Sequence, residues 1–267
     1  MHLSFRKSVT DRLLTKIRSG EMMSRNEKFN LIIQLSIPSI LAQVTTVLMF
    51  YIDAGMVGSL GAEPSAAIGL VEPATWLIFS LVSAVTMGFS VQVAHFIGAN
   101  DFPKARAVMR HGYVFGLCFS LLMLLIAFLI GPRLPIWLGG GADIQHDAMV
   151  YFLIFSGITP FHLIEYMSGA MLKVAGDMRR PSMMAILMCV LDVIFNYFLI
   201  FPTRTISLFG IELTMPGFGA GVAGAALGSL LAFVCVALPL AYYAIFRSPI
   251  LAWKQDTERF SWRWQYI

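Results

Sequence analysis

Four carboxylates stand inside long apolar stretches of this chain: Asp53, Glu72, Glu165 and Asp192. An ionised carboxylate in hydrocarbon costs about 3 kcal/mol on insertion scales. Either a partner or water satisfies it, or the protein uses it. Asp53 lies in the run Met49 to Gly61 (MFYIDAGMVGSLG), and Asp192 is followed four residues later by Asn196, on the same helical face. No Lys or Arg sits in the middle of an apolar stretch to neutralise Asp53 or Asp192. A proton or a bound cation must then do so, which is the chemistry of a coupling site. The competing reading is a buried acid, protonated or paired, that only specifies packing. His162 and Glu165 are three residues apart and could pair, with a proton relay there as a lesser reading.

Helical phase groups polar residues around these acids. Ser39, Gln43, Thr46 and Asp53 share one face of the first apolar stretch. Glu72, Thr75, Ser83, Thr86 and Ser90 share one face of the second. Together with Asp192 and Asn196 they form three stripes, enough to line a wet crevice, with Glu72, Gln43 and Thr46 as cleft candidates. The bland alternative for Ser and Thr is a hydrogen bond to their own helix backbone.

The elements that must carry these residues are membrane spans. Hydrophobic residues make up 58% of the 267 and charged residues 13%, against roughly 25% charged in soluble domains. Mean hydropathy is +0.75. Six apolar runs, about 31–60, 67–98, 107–131, 148–172, 181–201 and 219–246, can each cross about 30 Å of hydrocarbon. The fold class is therefore an all-α membrane protein, a bundle of six transmembrane helices. With the amino terminus in the cytoplasm, 17 of the 19 basic residues fall on the cytoplasmic side, leaving Arg133 and Arg204 outside. That asymmetry predicts that both termini are cytoplasmic. The chain divides into a basic amino-terminal segment (1–28) without a signal peptide's core, a six-helix lobe (29–247), and a tail or linker (248–267).

This topology sets depth. Asp53, Glu72, Asp192 and Asn196 come from three helices at a similar level in the outer half, while Glu165 lies nearer the cytoplasm. Pro38, Pro73, Pro160 and Pro239 interrupt four of the spans and predict helices that bend. Gly217/Gly221 and Gly224/Gly228 have the spacing that lets helix backbones approach. Cys118, Cys189 and Cys235 read as membrane-buried thiols. No hydrolase triad, P-loop or zinc spacing occurs, so neither an enzyme nor a resident cofactor is expected. Met and Phe, numerous in this chain, offer material for a soft pocket wall.

The run from Ile37-Pro38 through Asp53 to Gly58-Ser-Leu-Gly61 resembles the first helix of the multidrug and toxic compound extrusion (MATE) antiporters. Leu172 to Pro181 (LKVAGDMRRP) is similar to that family's loop between helices four and five. Asp192 to Phe201 resembles its helix five, and Gly221 to Ser229 the start of its helix six. The resemblance implies export of amphipathic or cationic organic compounds against Na⁺ or H⁺, from a cleft between two six-helix lobes in a bacterial inner membrane. It implies a cation site at Asp53, Asp192, Asn196 and Ser229, with no metal beyond Na⁺. Many members read Asn then Asp in helix five where this chain reads Asp192 then Asn196, and Ser229 stands where many carry Thr. The chain has the length of one lobe, which implies a second lobe from a longer chain or a partner. Two other readings stay open: a lipid-linked precursor flippase, which should carry basic residues in its cleft, and a structural membrane protein.

Overall fold

The computed structural model of the protein describes residues 21–208 and 211–255, together with Leu13, Thr15, Lys16 and Ser19. Most of the basic leader (1–28) and the end of the tail (256–267) lie outside the described residues.

The first helix, α1 (Arg25–Gly58), starts at Ser24, whose hydroxyl accepts from the Glu27 amide while the Glu27 carboxylate accepts from the Ser24 amide. This reciprocal cap satisfies two of the donors that a helix start leaves open. A turn at Gly61, with φ of +123° that side chains rarely adopt, leads into α2 (Ala62–Gly98). Asp101 then caps α3 (Phe102–Ile130), accepting from the Lys104 amide at 3.2 Å. After one helical turn at Leu134–Trp137 come α4 (Gln145–Ser156) and α5 (Thr159–Val174). The last long helices are α6 (Arg179–Ile200) and α7 (Gly221–Tyr242), the latter closing in a π-turn at Tyr243–Arg247.

Five helices are long and apolar enough to cross a membrane, and α4 with α5 passes the same test as one span bent by 42°. Pro160 was expected as an interior kink. It sits instead in the first turn of α5, where its missing amide hydrogen removes no helix hydrogen bond. The break therefore falls at Gly157–Ile158.

Leu122 and Leu129, on the perimeter of α3, are 50% and 72% exposed. This is the inverse of a soluble protein, and it fits helices whose outer faces meet hydrocarbon rather than water. Inside, Met109, Leu163, Met167 and Leu172 build a core near one end of the bundle, and Ala67, Val71 and Phe152 build another near the opposite end.

Two features depart from expectation. The connection before α7 is a hairpin, β1 (Pro202–Leu208) against antiparallel β2 (Ile211–Phe218). Gly217 belongs to that hairpin, and Gly221 opens α7 with nothing around it. The Gly217/Gly221 pair is thus no helix-packing motif, because the chain is not yet helical there. Gly224 and Gly228 do pack against α6: a Cβ on either would collide with Leu199 or Asn196.

α6 and α7 pack closely along the chain order, but α1 and α2 do not. α1 rests mainly on α6, and α2 on α3 and α5, so α1 and α2 splay apart despite their short turn.

Candidate functional site

The space between the splayed helices is a cavity of about 1160 Å³, walled by α1, α2, α4, α5, α6 and α7. Helical period decides what faces it. Ser39, Gln43, Thr46 and Asp53 line it from α1, and Glu72, Thr75, Ser83, Thr86 and Ser90 from α2. Both predicted stripes point into one space.

Asp53, Asp192 and Asn196 meet on its α6 side. The Asn196 side-chain amide donates to Asp53 Oδ1 at 3.0 Å and to Asp192 Oδ2 at 3.0 Å. Asp192 is 1% exposed and Asn196 2%, whereas Asp53 is half-buried and opens onto the cavity. Asn196 thus holds the two carboxyl groups beside each other, and Ser229 lines the same cavity from α7. Among the described residues, no Lys or Arg neutralises either acid.

Close approach of α7 makes this meeting tight. Asn196 Oδ1 lies directly over Gly228, where a Cβ would overlap it. That oxygen is buried without a hydrogen-bond partner among the described residues. Two carboxylates, a hydroxyl and an uncommitted amide oxygen thus stand together with no fixed positive charge. Hard cations such as Na⁺ take oxygen donors of this type, and a proton shared between the carboxyls would also balance the charge.

The remaining candidates are placed as follows. Glu72 lines the cavity and accepts from Trp76 Nε1 at 3.2 Å. Gln43 and Thr46 line it too, but the Thr46 hydroxyl binds the Ala42 carbonyl at 3.0 Å. Thr75 and Ser90 likewise bind their own helix backbone. His162 and Glu165 do not pair. The imidazole reaches across to the Ser83 hydroxyl at 3.3 Å and stacks on Phe79, turned from Glu165 by the packing of α5 on α2.

Sequence reasoning did not single out Tyr151, which lines the cavity within electrostatic range of Glu72, Asp53 and Asp192. Its place follows from how α4 crosses α2 and α7, which no local spacing encodes. Phe79, Phe155 and Phe233 complete the wall, with Phe233 edge-on to Phe79.

Comparison with known proteins gives this arrangement a context. The MatE family model matches residues 38–198. The probable multidrug resistance protein NorM of Oceanobacillus iheyensis is 24% identical over 202 residues, which are 74% of this chain and 43% of that protein. The FAD transporter of Shewanella oneidensis is 26% identical over 176 residues, 64% of this chain and 38% of that one. A crystal structure of MATE in complex with MaD3S superposes with a TM-score of 0.75 at 23% identity, covering 88% of this chain and 49% of the other. This chain spans less than half the length of these relatives.

Proposed function

The chain belongs to the MatE family of membrane transporters, and on that premise we propose that residues 29–247 form one lobe of a cation-coupled antiporter. In this reading a Na⁺ ion or a proton binds at Asp53 and Asp192, helped by Asn196 and Ser229, and the cavity carries amphipathic or cationic organic compounds outward. Segment 248–267 leads toward a second six-helix lobe, supplied by a longer chain or a partner. Both termini face the cytoplasm of a bacterial cell, with the lobe in the inner membrane.

The observation that carries this reading is the convergence of two carboxylates on one amide, on a cavity wall, without a basic partner. Charge balance there must come from something that enters and leaves. Binding would draw α1, which carries Pro38 and rests mainly on α6, toward one of two packings. Asp53, Glu72 and Glu165 outnumber Lys173, the one Lys or Arg among the described lining residues, and favour cationic over anionic cargo. This weighs against phosphate-bearing lipid precursors, and so against a flippase.

Gradient-driven efflux tests the proposal. In vesicles carrying the protein and an imposed Na⁺ or proton gradient, Asp53→Asn should reduce efflux of a fluorescent organic cation to the leak rate. Undiminished efflux would sink the coupling role.

A further inference from the structure

Aromatic rings from three helices run along the cavity wall as one stack. Tyr151 stacks on Phe155 with centroids 5.2 Å apart, Phe155 on Phe79 at 5.5 Å, and Phe79 on His162 at 4.4 Å. The stack bridges the break between α4 and α5, with α2 supplying the middle ring. It ends at Tyr166, tilted 31° from His162 and 39% exposed.

Glu165 stands beside that open end and also lines the cavity. Among the described residues no hydrogen bond or ion pair engages its carboxylate, which opens onto the cavity half-buried. Lys173 is the charge that acts on it. It lies two turns further along α5, about 12 Å along the axis at a rise of about 1.5 Å per residue. Lys173 also lines the cavity, but among the described residues no ion pair closes between it and the Glu165 carboxylate.

We propose that Glu165 and the Tyr166 end of this stack form a second cation station, separate from Asp53 and Asp192. It would take planar aromatic cations in preference to aliphatic cations of equal charge. A planar cation extends the stack by one ring and brings its charge to the carboxylate, using dispersion and ring quadrupole together. An aliphatic ammonium meets the same carboxylate but offers no flat face. This station rests on reading the cavity as a transport path, which it deepens by separating the cargo's carboxylate from those of the coupling ion.

Binding at equilibrium, with no gradient, isolates the station. Ethidium anisotropy on the purified protein should show Glu165→Gln weakening binding at least tenfold, while Glu165→Asp retains most of it. Tyr166→Leu should weaken ethidium several-fold and leave tetraethylammonium competition unchanged. Circular dichroism checks that each variant is folded. Equal ethidium affinity in wild type and Glu165→Gln would overturn the proposal, as would folded wild type that binds no ethidium. Glu165-dependent binding alongside efflux indifferent to Asp53 would leave this station standing and remove the coupling reading. The reverse pattern would remove the station alone.

Discussion

At the scale of single residues, the site depends on what is missing as much as on what is present. Gly228 has no Cβ, so Asn196 Oδ1 can lie against α7 while the amide nitrogen holds both carboxylates. Alanine there must push Asn196 aside or part α6 from α7. Overpacking of this kind costs about 1–3 kcal/mol. Gly228→Ala should therefore lower the thermal midpoint of the purified protein and weaken its response to cations. Gly88→Ala is the control: a Cβ there meets nothing within 4 Å, so the change should be neutral or stabilising by up to about 1 kcal/mol. Equal midpoints for the two variants would show that α7 has room to spare. The Asp192/Asn196 pairing was legible because a four-residue step fixes a shared helical face. Nothing local to Tyr151 announces its neighbours, which belong to three other helices.

At the scale of elements, helix ends carry the clearest local chemistry. The Asp101 carboxyl caps α3 and pairs with Lys104 at 2.7 Å, which holds it below the usual carboxylate range. A carboxyl whose folded value is depressed stabilises the fold above its unfolded value of about 3.9, and that stability is lost as pH falls through the folded value. Asp101→Ala should remove about 1 kcal/mol of cap stability near neutral pH and flatten the acid dependence of hydrogen exchange in the first turn of α3. An acid dependence that survives the substitution would assign it to another group. Such caps and the apolar runs are written in consecutive residues, so the six spans could be read directly. The hairpin could have been read too, since Thr205-Ile206-Ser207-Leu208 and Ile211-Glu212-Leu213-Thr214 alternate polar with apolar. Its strands are hidden by their position between two much longer apolar runs. His162 shows the opposite limit: a three-residue spacing permits a pair with Glu165, and the crossing of α5 with α2 gives the ring to Ser83 instead.

At the scale of the molecule, the decisive feature is that α1 leans on α6 and leaves a cavity toward α2. Along α1 few side chains are buried, so its position depends on a short list of contacts, with the Asp53–Asn196 hydrogen bond crossing directly to α6. A cation bound among Asp53, Asp192 and Asn196 would fasten α1 to that helix and stabilise the whole bundle. Linkage sets the size of the effect: a ligand at 100 times its dissociation constant stabilises the state it binds by about 2.7 kcal/mol. Melting the purified protein across a Na⁺ series at high pH, and across a pH series without Na⁺, should therefore raise the midpoint with whichever cation binds. Asp53→Asn should abolish that rise, because the neutral amide removes one of the two charges and the ligand that reaches α1. Glu165→Gln should leave the rise intact, since Glu165 lies on α5 toward the other end of the cavity. A midpoint indifferent to both Na⁺ and pH in the wild type would mean that the carboxylates only specify packing. A rise surviving in Asp53→Asn would move the cation site away from α1.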